Sequence, residues 1–161
     1  MKQGYLETIG LIERLHRQFL EVVKAELDRL GIQDINNVQS LILYNIADDE
    51  VTVGELTNRG YYLGSNVSYN LKKMVEYGYL EQERSLHDRR SFRVRLSGKG
   101  TDLRNKIAAM FESHSGELSG TTVTAEGLAT TGEALRGLER FWTDVLNNPN
   151  RAQRDDARLR A

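Results

Sequence analysis

No cysteine occurs anywhere in the chain. A disulfide framework, a thiolate metal site and a thiol redox switch are thereby excluded, and with them a small secreted disulfide scaffold. Proline is almost as scarce. The single one, Pro149, follows the last segment with helical periodicity, so nothing before it removes a backbone donor from a helix. Long uninterrupted helices are expected, and an all-β fold is not. No apolar run approaches the ~18 residues of a membrane span. The start, Met1 to Phe19, carries charges every few residues where a signal peptide needs an apolar core. The cytoplasm is therefore the expected address, with no membrane contact. With 161 residues, 28% charged and 39% hydrophobic, the chain has the composition of one globular domain, or one plus an extension.

Excess charge is missing too, since the formal net charge is −1. Its distribution is uneven. Residues 1–58 carry 5 Lys/Arg against 10 Asp/Glu, and residues 100–161 carry 8 against 9. Between them, residues 59–99 carry 9 against 4: Arg59, Lys72, Lys73, Arg84, Arg89, Arg90, Arg93, Arg95 and Lys99 against Glu76, Glu81, Glu83 and Asp88. A compact basic block in an acidic chain is the electrostatic footprint of phosphate binding, because each neutralised phosphate releases counterions. Charge alone reads more simply as a solvated face; the pattern within the block favours phosphate.

Apolar residues at Tyr5, Ile9, Ile12, Phe19, Val23, Leu27 and Leu30 predict a long amphipathic helix ended by Gly31. Alone it cannot bury its stripe, so it needs a partner, which another chain could supply. Asn36 and Gln39 form a capping box before a second helix closed by Asp48, Asp49 and Glu50, and Thr52 and Glu55 form one before a short third helix. After the turn at Gly60–Gly64, Ser65 caps a helix to about Tyr77, with Gly78 as its terminator. The period then changes from 3.6 to 2 over Leu80–Ser85 and Ser91–Leu96, two strands joined by the charged tip Leu86–Arg90. Ser97 caps a fifth helix from about Lys99 to His114, Ser115–Thr124 reads as a loop, and a last helix runs through Leu146 from an ill-marked start near Thr124.

A short helix, a turn, a helix and a basic β-hairpin make a helix-turn-helix followed by a wing. The expected fold is therefore mainly α with a small β-hairpin wing. In such a motif the second helix enters the major groove. At 100° per residue Val67, Leu71, Met74 and Gly78 share a narrow inward arc, while Ser65, Tyr69, Lys72 and Lys73, with Asn66 beside them, lie opposite. Hydroxyls, an amide, a phenol and two ammonium groups suit phosphates and base edges. At the hairpin tip Arg89 and Arg90 can enter a minor groove, with Asp88 orienting one of them. Arg93 and Arg95 face away from the apolar side of their strand, in position for phosphates.

The run Ser65–Gly100 resembles the recognition helix, wing and following helix start of MarR/SlyA-type winged-helix transcriptional regulators. The matching residues are Ser65, Ser68, Gly78, Asp88, Arg90, Leu96, Ser97 and Gly100. The wording of Gly60–Met74 is also similar to an alphaproteobacterial LdtR-like subgroup. The resemblance implies a bacterial, homodimeric regulator of transcription, with Ser68 joining the recognition-helix set, that binds a pseudo-palindromic operator on double-stranded DNA. Residues 1–34 and 98–148 would form a helical dimerisation region, 35–97 the winged helix-turn-helix lobe and 149–161 a flexible tail. It also implies a small aromatic or phenolic effector between the lobe and the dimer helices, for which His16, Phe19 and Tyr44 are the candidate liners. The simpler reading has Phe19 and Tyr44 only packing, and His16 as a core histidine on an apolar stripe. His16, His87 and His114 lack paired ligand spacing, so no metal and no cofactor is expected. The alternative is an architectural or protein-binding winged helix without strong sequence preference. No enzyme is expected, since phosphate loop, nucleophile elbow, metal cluster and convincing acid pair are all missing.

Overall fold

The computed structural model describes residues 1–46, 50–58, 64–84 and 92–148. In order the elements are α1 (Lys2–Arg29), α2 (Asn37–Asn45), β1 (Val51–Thr52), α3 (Val53–Asn58), α4 (Gly64–Glu76), β2 (Leu80–Arg84), β3 (Phe92–Leu96), α5 (Gly98–Leu118) and α6 (Ala125–Asn147). The mainly helical architecture with a small sheet is the one expected. Contacts divide the chain into two compact units, Met1–Glu112 and Ser113–Ala161. Among the described residues, no helix is long and apolar enough to cross a membrane.

The helix boundaries follow from side chains that satisfy orphaned backbone groups. At the end of α1, Gly31 takes φ 70°, while Ile32 N–H reaches Leu27 O at 2.9 Å and Gly31 N–H reaches Asp28 O at 3.0 Å. Both carbonyls of the last turn are thus closed by a left-handed glycine. The same pair recurs after α4, where Gly78 at φ 76° sets Tyr79 N–H on Met74 O and its own N–H on Val75 O. The Asn36/Gln39 box is complete in both directions, at 2.8 and 3.0 Å. So is the Thr52/Glu55 box, at 3.1 and 2.6 Å. Asp48 and Asp49, expected beyond α2, lie outside the described residues.

Two expectations need correcting. The sheet has three antiparallel strands in the order β1-β3-β2, not two. Val51 pairs with Val94 and Thr52 with Arg93, so β1 is two residues long, too short to show any alternation in sequence. And α5 runs on through Leu118, so Ser115–Leu118, read as loop, is helix; the break falls at Ser119–Thr124 instead. Thr124 then caps α6, its Oγ1 accepting from Gly127 N–H at 3.0 Å.

The core of the first unit gathers Val23 and Leu27 from α1, Ile42, Leu43 and Ile46 from α2, and Leu56 from α3. Val67, Leu71 and Met74 of α4, Val51, Leu80 and Val94 of the sheet, Leu103, Ile107 and Met110 of α5, and Ile35 and Tyr79 from the connections complete it. Of the inward arc read for α4, Val67, Leu71 and Met74 are therefore buried, while Gly78, read on the same arc, is exposed beyond the helix end. Gln39 is buried as well; its Oε1 accepts from Asn36 N–H and its Nε2 donates to Asn70 Oδ1 at 3.2 Å. That bond ties α2 to α4, as a buried amide must if it is not to lose its hydration uncompensated. Outside this core much apolar surface stays open. Only Val23 and Leu27 of α1 are buried, and no residue of α6 is.

Candidate nucleic-acid interface

The sequence makes α4 a helix with one apolar and one polar arc, and the packing fixes which arc points out. Val67 and Met74 have no exposed surface and Leu71 has 3%. Opposite them Tyr69 is 63% exposed, and Ser68 and Lys72 are exposed. The side chains of Ser65 and Asn66, in the first turn, lie outside the described part.

Lys73 is half-buried and engaged. Its ammonium donates to Glu76 Oε2 at 2.8 Å and stands 5.9 Å from the Tyr77 ring centroid. The bond to Glu76, then its charge, raise the Lys73 pKa above the ordinary range, and the same bond lowers that of Glu76. Lys72 has no ion pair among the described residues. The two adjacent lysines thus differ: Lys73 is held in an ion pair, and Lys72 is exposed with none among the described residues.

Beyond Gly78 the chain enters the hairpin. Its register sets Glu81 opposite Arg95 and Glu83 opposite Arg93. Arg93 and Arg95 are exposed, as their strand parity requires, but neither is solitary. Arg95 Nη2 lies 2.6 Å from Glu81 Oε2 and 3.6 Å from Glu83 Oε1; Arg93 Nη1 lies 3.6 Å from Glu50 Oε2. Glu50, Glu81 and Glu83 are ion-pair partners that the charge count entered only as subtractions. The signal was present: alternating glutamates on one strand face alternating arginines on the next. Asp88, Arg89 and Arg90, the expected wing tip, lie outside the described residues.

The candidate effector liners fare unequally. Phe19 of α1 stacks on Phe111 of α5 at 6.0 Å between centroids, and Tyr44 of α2 meets the same ring edge-on at 4.9 Å. Phe19 and Tyr44 keep 38% and 36% of their surface exposed, so three elements share a partly open aromatic cluster centred on Phe111. Sequence reading missed Phe111 because it sits on α5's own apolar stripe. His16 is exposed, not the core histidine expected as the simpler reading of its stripe. Among the described residues no cluster of His, Asp or Glu could hold a metal.

Known proteins match this arrangement. The family described as "Winged helix DNA-binding domain" matches residues 35–100. The exopolysaccharide II synthesis transcriptional activator ExpG of Rhizobium meliloti strain 1021 is 37% identical over 138 residues, 86% of this chain and 71% of that protein. The fold is shared with Streptococcus pneumoniae FabT in complex with DNA, at TM-score 0.70 and 20% identity over 88% of this chain and 99% of that one. It is shared too with Staphylococcus aureus MarR in complex with salicylate and kanamycin, at TM-score 0.72 and 19% identity over 88% and 94%.

Proposed function

Because the chain belongs to the MarR-type winged-helix transcriptional regulators, we propose that it binds a pseudo-palindromic operator as a homodimer and releases it to a small phenolic ligand. The observation that carries the DNA-binding part is α4 itself, whose apolar arc is buried while Tyr69 and Lys72 stand open beside a basic hairpin. Base edges would be met from the N-terminal half of α4 by Ser65, Asn66, Ser68 and Tyr69, and phosphates by Lys72, and by Lys73 once it leaves Glu76. Arg89 and Arg90, oriented by Asp88, would sense minor-groove width, with Arg93 and Arg95 along the backbone. The proposed dimer would supply the symmetry of the operator. Two copies related by a twofold axis present two recognition helices, about one helical turn of DNA apart. The narrower likeness to LdtR-type regulators rests on Gly60–Met74 alone.

A ligand can act only through unequal affinity for two arrangements of the recognition helices. The partly open ring cluster of Phe19, Tyr44 and Phe111 is an aromatic surface suited to a phenol, with His16 one turn away on α1.

The test is capture of fragments of its own genome by the purified protein, in competition with random DNA at about 150 mM salt, where weak phosphate contacts are screened. Enrichment of a short palindrome is expected, with release by salicylate from wild type and not from Tyr44→Ala. Uniform recovery without a motif would leave an architectural or protein-binding module instead. Unchanged release from Tyr44→Ala would remove the aromatic cluster as the ligand site.

The carboxylates on the hairpin give a second expectation. Arg95 must leave Glu81, or share it, before it meets a phosphate. Glu81→Gln with Glu83→Gln frees that guanidinium, so affinity for random duplex rises and its salt dependence steepens by about one phosphate's worth of counterion. Fluorescence anisotropy across a salt series reads both. An unchanged slope would show that Arg95 stays away from the backbone.

A further inference from the structure

At the far end of α4 from its groove-reading turn, three segments distant in the chain meet at one polar node. Tyr79 is buried, and its hydroxyl donates to Asp34 Oδ1 at 2.6 Å. Asp34 belongs to the connection between α1 and α2. Lys99, in the first turn of α5, donates to Asp34 Oδ2 at 2.6 Å and to Tyr77 O at 2.9 Å, and stands 4.0 Å from the Tyr79 ring centroid. Ser97 Oγ donates to Gly78 O at 2.6 Å. The carbonyls just beyond α4, Tyr77 O and Gly78 O, are therefore held by Lys99 and by Ser97 immediately before α5, and Tyr79 is held by Asp34 of the α1–α2 connection.

The electrostatics keep the node assembled. Burial disfavours the Asp34 carboxylate, but the hydrogen bonds from Lys99 and Tyr79 and the Lys99 charge outweigh it, leaving its pKa below the usual range. Burial and then Asp34 push the Tyr79 phenol far above its ordinary value, so it remains a donor. Asp34 and Lys99 keep 44% and 47% of their side-chain surface exposed, and ion pairs that open contribute little to stability. Geometry is where the node has leverage. The 13 residues of α4 make a lever of about 20 Å at 1.5 Å per residue. A swing of about 10° at the clamped end moves the reading end by roughly 3 Å, close to the rise of one base pair.

We propose that Asp34, Tyr79 and Lys99 are positioning residues that fix the pitch of the recognition helix against the α1–α2 connection and the start of α5, and so set the half-site spacing the dimer accepts. This rests on the regulator reading above. The clamp touches no DNA. It acts by denying α4 the range of tilts that would let one dimer fit operators a base pair longer or shorter.

The experiment compares full-length wild type with Tyr79→Phe, Asp34→Asn, Lys99→Met and Lys99→Arg. The DNA is the captured operator and versions with one base pair added to or removed from the centre. Wild type should prefer its own spacing by about tenfold, as for one mismatched pair. Tyr79→Phe, which keeps the ring, should shrink that preference to about threefold or less, with affinity for a half-site duplex and for random DNA unchanged. Lys99→Arg should retain more of the preference than Lys99→Met. A full preference in Tyr79→Phe and Asp34→Asn overturns the proposal, as does an unfolded Tyr79→Phe, which would make the node a support of the fold alone. Wild type without any spacing preference would instead sink the palindromic-dimer reading, a distinct failure.

Discussion

Gly100→Ala should cost about 3 kcal/mol, the upper end of what overpacking a core costs. Gly100 is buried in the first turn of α5, and a Cβ there would stand 2.1 Å from Tyr79 O, 3.2 Å from Tyr79 C and 3.4 Å from Leu96 Cδ2. The obstacle is backbone, so no rotamer relieves it. Nor can the backbone retreat freely: Tyr79 O accepts from Ser97 N–H at 3.1 Å, and Tyr79 N–H is bound to Met74 O. Relief must part the start of α5 from the end of α4. For a chain of this length, that loss lowers the melting temperature by roughly 10 °C. The control is Gly98→Ala, two residues earlier, where an added Cβ meets nothing within 4 Å. It should leave the melt unchanged or raise it slightly by restricting the unfolded chain. Calorimetry at one fixed protein concentration, because dimers melt concentration-dependently, reads the difference. Equal melting of the two variants would show that α5 and β2 slide past each other without cost.

Gly100 also marks where sequence reading stops. The helix ends were legible because each carries local chemistry: Asn36 with Gln39, Thr52 with Glu55, Gly31 and Gly78. The demand on Gly100 is not local. It comes from a carbonyl that reaches it only after the hairpin has folded back, and no pattern within α5 encodes that approach. The same limit explains β1. Two residues have no period, and Val51–Thr52 becomes a strand only because β3 offers an edge. Ser115–Leu118 went the other way: its Ser and Gly suggested a loop, but those two weak helix formers, followed by the strong ones Glu117 and Leu118, continue a helix already nucleated over Gly98–His114.

On α4, the exposure of Tyr69 and Lys72 was readable because burial obeys the helical period. Pairing across strands was less so. A charge count treats Glu81 and Glu83 as subtractions from a basic block, whereas the register makes Glu81 the direct partner of Arg95. The node of Asp34, Tyr79 and Lys99 was invisible in sequence, since its members are separated by 45 and 65 positions or held on different elements. Phe111 illustrates the remaining difficulty: an aromatic on a helix's apolar stripe says nothing about whether its ring meets core or two half-open neighbours.

Leu15→Glu should separate the protomers and abolish tight operator binding. Beside the stripe read from sequence, α1 carries a second apolar line at Leu11, Leu15 and Val22, exposed by 42%, 59% and 42%. On α6 Leu128, Leu135, Phe141, Val145 and Leu146 are exposed by 39% or more. In the proposed dimer, the open apolar surfaces of α1 and of α6 are the ones a second copy would cover. Burying a leucine contributes about 1.5–3 kcal/mol, and a carboxylate in its place must be desolvated without a partner. Symmetry applies the change twice, so dimer dissociation should strengthen by about 1000-fold or more, since each 1.4 kcal/mol is tenfold. A monomer holds one half-site and forfeits the roughly 10²–10⁴-fold gain of linked sites. Leu135→Glu on α6 should act alike. Arg17→Glu, on the exposed polar face of α1, should not. Sedimentation velocity gives the mass, and titration of full-operator and half-site duplexes gives the affinities. A Leu15→Glu protein that sediments and binds as wild type does would place the interface elsewhere. Loss of full-operator affinity with half-site affinity intact would show that α1 serves DNA recognition only by pairing the two lobes.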